Sequence, residues 1–350
     1  MTKTVTALTV DEISIQYDAK KVLNKLSLEI KNNEILCLLG QSGSGKTTVL
    51  KAIAGILPLT HGSISLAGQC VSTTEVVTSP DKRGMGIIFQ DYALFPHLSV
   101  QDNICFGIKD KQQAVSSAIA LLKLVKMDGY QSAFPHELSG GQQQRVAIAR
   151  ALAMQPKVLL LDEPFSNVDF HLRQQLMTDI RHILKQQGVA ALFVTHSKEE
   201  AFAFADKLAF MEKGKIVQTG SAETLYYQPE STALAESMGD GNWLDVEVID
   251  EYRTLSAELG EIRSTEPHNL SVGCSVRQFI RPNQLNIEVS DSAQGKVTEQ
   301  VFNGEHRTYK IVVGKLKLMV NQASLENIPM ASQVLVTVNE HSAMLFPIEQ

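Results

Sequence analysis

One short stretch constrains this chain more than any other. Gly40-Gln41-Ser42-Gly43-Ser44-Gly45-Lys46-Thr47 fits the pattern G-x-x-x-x-G-K-[ST], and the apolar run Ile35–Leu39 comes directly before it. A strand, a glycine-rich turn and a helix would aim several backbone N–H groups and the positive helix end at one point. The stretch therefore predicts a cradle for the β- and γ-phosphates of ATP or GTP, with contacts from every residue of the loop and from Thr48.

A second stretch, residues 157–163, is an apolar strand-like run that ends in the carboxylates Asp162 and Glu163. At the tip of a buried strand Asp162 can hold a Mg²⁺ ion together with the Thr47 hydroxyl, while Lys46 bridges the β- and γ-phosphates. Neighbouring strand residues point in opposite directions, so Asp162 and Glu163 should have different roles. One side chain cannot both hold Mg²⁺ and activate water. We therefore expect Glu163 to polarise the attacking water.

Three further motifs follow the same order as in one known family. Gln90 closes the strand-like run 86–89, His196 closes the run 191–195, and residues 139–145 read Ser-Gly-Gly-Gln-Gln-Gln-Arg before a helical pattern. With the two stretches above, they resemble the phosphate loop, Q-loop, signature, Mg²⁺-aspartate and switch histidine of the ATP-binding cassette (ABC) ATPases. The resemblance spans roughly residues 1–235 and implies an ATPase that uses ATP and Mg²⁺.

The resemblance also implies roles for single residues. Gln90 would coordinate Mg²⁺ or the attacking water, and His196 would contact the γ-phosphate and hold Glu163, so these three form the expected catalytic set. Tyr17 ends the first strand, where the family places a ring that stacks on adenine. Stacking on a base tolerates sequence variation. The alternative is an ordinary edge-strand tyrosine.

A second phosphate cradle in one chain implies a second copy of it. The residues that open the signature helix would bind the nucleotide of the opposite subunit; they are Ser139, Gly140, Gly141 and Gln142. We therefore expect an ATP-dependent homodimer with two shared sites. Asp169, in Ser166-Asn167-Val168-Asp169, resembles the D-loop aspartate, although the family commonly has Ser-Ala-Leu-Asp. Ser197 also departs, because an acid usually follows the switch histidine.

Composition and charge exclude several classes. The 350 residues favour two domains, since a single core seldom grows past about 250–300 residues. A net charge of −6 argues against nucleic acid as a partner, which needs clustered Lys and Arg. The four cysteines lack C-x-x-C spacing, which argues against a zinc site.

No apolar run approaches the ~20 residues of a bilayer span, and the N-terminus lacks a signal-peptide core. We expect a peripheral protein at the cytoplasmic face of the membrane.

The patterns predict an α/β fold class. The resemblance makes it a P-loop NTPase cassette, with a parallel core sheet, an antiparallel β subdomain and a helical subdomain. From Leu244 onward, short alternating strands separated by turn residues predict a small all-β, barrel-like domain. The expected domains are residues 1–237, which bind the nucleotide, and residues 238–350, which form an accessory or regulatory part.

The leading hypothesis is the ATP-hydrolysing subunit of an importer. The apolar segment from Gln90 to Val100 would receive helices of two membrane permease subunits, although burial in the chain's own core is the alternative. A substrate-binding protein outside the cytoplasm would take part indirectly. Residues 89–97 are similar to the subfamily that serves ferric iron, polyamines, sulfate, thiamine and sugars. The short tail and its segment Ile280-Arg281-Pro282 look most like those of ferric-iron importers, with the other cargoes as alternatives. A DNA-repair ATPase would need a coiled coil between Lys46 and Ser139, and a translation ATPase would carry two cassettes.

Overall fold

The computed structural model describes residues 6–17, 20–108, 110–323, 325 and 327–348. The chain divides into two compact units, Met1–Ala222 and Glu223–Gln350. This division precedes the predicted boundary at 237/238, because the short helices after Ala222 group with the β-rich part. Within the described ranges, no helix is long and apolar enough to cross a membrane.

The first unit combines two sheets with helices. Its strands are β1 (Thr6–Tyr17), β2 (Lys20–Lys31), β3 (Ile35–Leu39), β4 (His61–Leu66), β5 (Gln69–Ser72), β6 (Met85–Ile88), β7 (Val158–Asp162), β8 (Ala190–Thr195), β9 (Lys207–Glu212) and β10 (Lys215–Gly220). Its helices are α1 (Lys46–Ala54), α2 (Val100–Cys105), α3 (Lys111–Leu124), α4 (Gly140–Ala153), α5 (Phe170–Gln187) and α6 (Lys198–Phe204).

The order of the core sheet decides where the site lies. Six strands follow the order β10-β9-β3-β8-β7-β6, and β6, β7, β8, β3 and β9 are parallel. Every residue of β3 and β8 is buried, which is the pattern of central strands covered on both faces. Because parallel strands share one carboxyl edge, the segments that follow β3, β7 and β8 lie side by side.

Two further parts complete the first unit. In the antiparallel sheet β2-β1-β4-β5, buried and exposed residues alternate along the second half of β2, so that one face covers the core. Helices α2, α3 and α4 pack against one another as a small helical group. These parts match the antiparallel and helical subdomains that the resemblance implied.

The second unit is β-rich, as predicted. It contains α7 (Ala222–Tyr227), α8 (Thr232–Met238), β11 (Asn242–Asp250), β12 (Arg253–Ser256), β13 (Gly260–Arg263), β14 (Ser275–Ile280), β15 (Leu285–Val289), β16 (Gly295–Phe302), β17 (His306–Val313), β18 (Leu316–Ala323), β19 (Gln333–Val338) and β20 (Met344–Pro347). The strands form two antiparallel sheets, β13-β12-β11-β14-β20 and β15-β19-β16-β17-β18. Both sheets contribute to one apolar core.

A buried arginine joins the two short helices to these sheets. Arg281, with 0% of its surface exposed, donates to the carbonyl oxygens of Ala235 (2.8 Å), Gly239 (2.7 Å) and Tyr226 (3.1 Å). Its guanidinium also lies 4.3 Å from the Tyr226 ring centroid and 4.8 Å from that of Phe279. Arg281 therefore connects α7 and α8 to the end of β14, which explains why these helices belong to the second unit.

Acid should destabilise the first unit through Asp206, which precedes β9. Burial alone would raise the pKa of Asp206, but hydrogen bonds from Lys185, the Ile35 N–H and Arg181 outweigh it and hold the pKa below its ordinary value. Such a carboxyl contributes stability above its unfolded pKa of about 4 that is lost as the pH falls through the lower native value.

Asp206→Asn removes this contribution and should cost about 1–3 kcal/mol at neutral pH. Urea unfolding followed by circular dichroism between neutral pH and about pH 3 measures the difference. We expect the wild-type free energy of unfolding to fall more steeply with acid than that of the variant. Parallel curves for the two proteins would contradict the assignment.

Candidate nucleotide site

The predicted loop, carboxylates and histidine meet at the carboxyl edge of the core sheet. The loop follows β3, Glu163 follows β7, and His196 follows β8. A cleft of about 280 Å³ opens there. Its described lining residues are Val22, Ser42, Gly43, Gly45, Lys46, Thr47, Thr48 and Glu163. A hollow of about 570 Å³ on the second unit is larger, but none of the predicted site residues lines it.

The phosphate loop surrounds a buried ammonium group. Gly45 has φ of 108° at the start of α1, a conformation that favours glycine. Lys46 is only 7% exposed, and its Nζ donates to the carbonyl oxygens of Gly40 (2.7 Å) and Gln41 (3.0 Å). Burial lowers the pKa of Lys46, while the charges of Glu163 and Asp162 oppose this. Because its hydrogen-bond acceptors are neutral carbonyls, an anion at the loop would gain a strong charged partner.

Thr47 and Asp162 place two oxygen donors side by side. The Thr47 hydroxyl lies 3.4 Å from Oδ1 of Asp162. Burial and the nearby Glu163 raise the pKa of Asp162, whereas the hydrogen bond from Thr47 lowers it. No group of three or more His, Cys, Asp or Glu side chains in the described part of the chain could hold a metal alone. The hydroxyl and carboxylate oxygens of Thr47 and Asp162 fit a Mg²⁺ ion that takes its remaining ligands from phosphate and water.

Glu163 lines the cleft and contacts His196. Oε1 of Glu163 lies 3.1 Å from Nδ1 of His196, with 28% of the glutamate and 62% of the histidine side chain exposed. Glu163 has φ of 45°, an uncommon backbone conformation for a residue with a side chain. Strained residues of this kind persist where the surrounding structure fixes them, often at functional sites. The structure thus separates the two carboxylates: Asp162 contacts Thr47, and Glu163 contacts His196.

A cluster of three aromatic rings packs near the segments that carry Glu163 and His196. Phe165, Phe193 and Phe204 are fully buried, and each pair of rings meets edge to face at 5.2–5.8 Å between centroids. Such contacts add stability beyond the burial of area. The cluster joins the segment after Glu163 to β8 and α6, which fixes the distance between the glutamate and His196.

Sequence reasoning missed Glu200. This residue is only 5% exposed; it accepts a hydrogen bond from Thr195 Oγ1 (2.7 Å) and pairs with Arg173 Nη1 (3.4 Å). Burial raises the pKa of Glu200, while the Thr195 hydrogen bond and Arg173 lower it. The sequence signal that could have identified Glu200 is an acid three residues after a capping serine. In the structure Ser197 Oγ accepts from the Glu200 N–H at 3.1 Å. Ser197 therefore serves as the N-cap of α6. Glu200 holds Thr195, which directly precedes His196.

Asp162 and His196 are not among the described residues that line the cleft, and neither are the predicted residues outside residues 40–48 and 162–163. Tyr17 is 47% exposed at the end of β1, and Gln90 is exposed two residues after β6. Ser139 caps α4: its Oγ accepts from the Gln142 N–H (3.4 Å), and its own N–H donates to Gln142 Oε1 (2.9 Å). Asp169 caps α5 by accepting from the His171 N–H at 2.9 Å.

Comparisons with known proteins give the same result. A family model described as "ABC transporter" matches residues 23–166. The Fe(3+) ions import ATP-binding protein FbpC of Pasteurella multocida is 36% identical over 335 residues, which cover 94% of each chain. The spermidine/putrescine import ATP-binding protein PotA of Roseobacter denitrificans is 38% identical over 301 residues, 83% of this chain and 82% of the relative. The sulfate/thiosulfate import protein CysA 2 of Chromobacterium violaceum is 43% identical over 284 residues, 80% of this chain and 76% of the relative.

Solved structures agree on the fold. CbiO1 of Clostridium perfringens, part of the ABC transporter complex CbiONQ, is 28% identical with a TM-score of 0.57 and covers 62% of this chain and 89% of its own. A dimeric post-hydrolysis ATP-binding cassette bound to ADP and phosphate is 25% identical with a TM-score of 0.53, covering 61% of this chain and 98% of its own. The predicted fold class and ATPase activity are confirmed, and this chain belongs to the ABC transporter family as the ATP-binding, ATP-hydrolysing subunit of an import system.

Proposed function

We propose that two copies of this chain hydrolyse ATP at two shared sites and thereby drive import through separate membrane permease subunits. One observation carries the proposal. The phosphate loop and Glu163 line one cleft and Glu163 contacts His196, whereas the second cradle, formed by residues 139–142, is not among the described residues that line this cleft. A head-to-tail dimer would use both cradles, with the signature residues of each copy covering the nucleotide of the other.

Hydrolysis would depend on the pair of Glu163 and His196. One carboxylate oxygen of Glu163 lies beside the imidazole, which leaves the other oxygen to accept a proton from the attacking water. His196 is exposed and would use its remaining ring nitrogen for the γ-phosphate. Lys46 would turn from its loop carbonyls to the β- and γ-phosphates, while Tyr17 would stack on the adenine of the same nucleotide.

Mg²⁺ fits the oxygen donors of Thr47 and Asp162, with Gln90 as a further ligand. When bound, it would neutralise charge on the β- and γ-phosphate oxygens. The protein's part is to place the donors, and the Asp162 carboxylate is already beside the Thr47 hydroxyl. Asp169 of the D-loop would contact the opposite site across the dimer.

The shared-site proposal predicts a specific loss in Ser139→Ala. Removing one preorganised donor to phosphate should lower kcat for ATP hydrolysis about 10²–10³-fold. Ser231→Ala is the matched control, because Ser231 also caps a helix by accepting a backbone N–H, from Leu234 at 3.2 Å. Steady-state ATPase assays with the permease present measure both variants. Full activity of Ser139→Ala would contradict the shared site, whereas equal losses in both variants would indicate a capping effect alone.

The docking segment, defined as residues 90–100, supports the permease interaction. Tyr92 and Val100 are buried, but Pro96 and His97 are exposed, and Phe106 beside the segment is 66% exposed. The structure thus presents a partly apolar surface, which suits an amphipathic helix of a membrane partner. This contact would hold the chain at the cytoplasmic face of the membrane, and a substrate-binding protein would act through the permeases.

A buried amide fixes the shape of the docking segment. Asn103 is 0% exposed, accepts from the Phe95 N–H at 2.8 Å, and donates to the carbonyl oxygens of Phe95, Leu98 and Ser99 at 3.0–3.1 Å. A surface that is held in one conformation loses less conformational entropy on binding. This rigidity supports the segment's assignment as a docking surface.

Ferric iron is our proposed cargo. The support is the FbpC relative, whose similarity extends over 94% of this chain and therefore includes the accessory unit. Relatives named for spermidine and putrescine and for sulfate and thiosulfate make those cargoes the alternatives. Uptake of labelled Fe³⁺, spermidine and sulfate by proteoliposomes of the complete transporter would distinguish them. Uptake of either alternative without Fe³⁺ uptake would overturn this choice.

A further inference from the structure

The first part of the docking segment has an unusual backbone. Loop 90–93, defined as residues 90–93, contains Tyr92 with φ of 60° and Ala93 with φ of 45°. Both values are in the left-handed region, which residues with side chains rarely adopt. Such a conformation persists only where surrounding contacts fix it, and it is common in switch regions.

Arg150 holds the end of the loop from the last turn of α4. Its Nη1 donates to the Ala93 carbonyl at 2.6 Å and its Nη2 donates to the Tyr92 carbonyl at 3.0 Å. The guanidinium also lies 5.6 Å from the centroid of the Phe95 ring. One planar fork thus contacts both strained peptide units at once, which a lysine ammonium cannot reproduce.

Asn167 holds the start of the loop near the other end of α4. Its Nδ2 donates to the Gln90 carbonyl at 2.9 Å. Its own carbonyl oxygen would lie 2.6 Å from a Cβ placed on Gly140, so the two backbones are in direct contact at the first residue of α4. An alanine at position 167, which the sequence comparison with the family suggested as the common residue, has no donor for this bond.

The two contacts place the loop along the helix. Loop 90–93 is fixed to Arg150 at one end, and its other end is fixed to Asn167, which packs on Gly140. At 1.5 Å per residue, the helix from Gly140 to Arg150 is about 15 Å long. A force on the docking segment would therefore reach the serine and glycines at the start of α4 through a rigid element.

We propose that Arg150 and Asn167 are positioning residues that make loop 90–93 and α4 move as one body, so that a docked permease moves the signature cradle. This inference rests on the proposed function, because it assumes that residues 90–100 dock a permease and that residues 139–141 bind phosphate. It adds the contacts that connect the docking segment to the phosphate-binding start of α4. Neither residue is required to touch the nucleotide or the permease.

The first test uses the isolated chain. Hydrogen exchange should be about 10-fold faster for peptides covering residues 90–98 in Arg150→Gln than in wild type, with α1 peptides unchanged. The Tyr92 N–H, which donates to the Phe89 carbonyl at 2.9 Å, is a direct reporter. Arg150→Lys should give an intermediate rate, because it keeps the charge and loses the fork. Unchanged exchange in both variants would overturn the assignment of Arg150.

The second test uses the complete transporter in nanodiscs. The readout is the ratio of ATPase rates with and without the transported substrate and its binding protein. We expect Asn167→Ala to lower this ratio about 2- to 10-fold, the range for one lost hydrogen bond. Arg150→Gln, which loses two, should lower it at least as much. Arg307→Gln and Asn303→Ala are matched controls, since Arg307 also lies over a ring (Phe302, 5.0 Å) and Asn303 also donates from an exposed amide (to Thr308, 2.9 Å).

The outcomes separate the two proposals. A wild-type transporter whose ATPase does not respond to its substrate would overturn the proposed function, and the inference with it. A responsive wild type with equally responsive Arg150→Gln and Asn167→Ala would overturn the inference alone. Asn167→Ala changes one exposed side chain, so it remains informative if Arg150→Gln does not fold.

Discussion

Glu163→Gln should lower kcat for ATP hydrolysis about 10²–10⁴-fold, the range that a general base contributes. The amide keeps the size of the side chain and can still reach Nδ1 of His196, which lies 3.1 Å from the carboxylate. It cannot accept a proton from water. ATP binding should remain, because Lys46 and the loop amides are unchanged. Steady-state phosphate release and equilibrium binding of a fluorescent ATP analogue measure the two properties.

The same variant tests the homodimer, because unhydrolysed ATP should hold two copies together. We expect Glu163→Gln to elute as a dimer in saturating MgATP and as a monomer without nucleotide. Glu199→Gln is the control, since Glu199 is an exposed acid near the site that accepts a hydrogen bond from Ser197 Oγ at 2.9 Å. Glu163→Gln that stays monomeric in MgATP, even with the permease present, would remove the basis for two shared sites.

Arg281→Met should destabilise the second unit by about 3–5 kcal/mol. An apolar replacement of a buried charge is tolerable when its partners are replaced too. Here the partners are the backbone carbonyls of Ala235, Gly239 and Tyr226, which no single substitution removes. Several buried acceptors would lose their donor together, and α7 and α8 would lose their connection to β14.

Fluorescence can follow this loss selectively. Trp243 is the only tryptophan in the sequence, and its ring lies 4.7 Å from that of Phe279, which Arg281 also contacts. Urea unfolding monitored through Trp243 therefore reports on the second unit. Arg263→Met is the control, because that side chain is 64% exposed and its ion pair with Glu261 should contribute about 0–1 kcal/mol. Equal midpoints for Arg281→Met and wild type would refute the role of the buried cation.

Much of the site could be predicted because its signals are local. The glycine-rich loop, the apolar runs that became β3, β7 and β8, and the polar residues at their ends are each continuous in sequence. Parallel pairing then brings them together by a general rule. The change to short strands after Leu244 was also predicted, and the second unit is β-rich. Short strands such as β12, β13 and β20 were missed, because four residues carry too little alternation to identify.

The residues that sequence reasoning missed bind partners that the sequence pattern does not identify. Arg150 and Asn103 bind backbone carbonyls of the docking segment, and Glu200 binds Thr195 and Arg173. A carbonyl acceptor leaves no trace in the sequence, because every residue has one. The departure at Asn167 was visible as a difference from the family, but its meaning required the position of the Gln90 carbonyl.

The buried Arg281 also determines where the chain can be cut for separate study. A fragment that starts at residue 238, the boundary read from the sequence, would contain the guanidinium without the carbonyls of Tyr226 and Ala235. The buried Arg281 would then lie in an apolar interior with two of its three carbonyl acceptors missing. Fragments of the accessory unit, including those used to screen for small-molecule effectors, should therefore begin before α7.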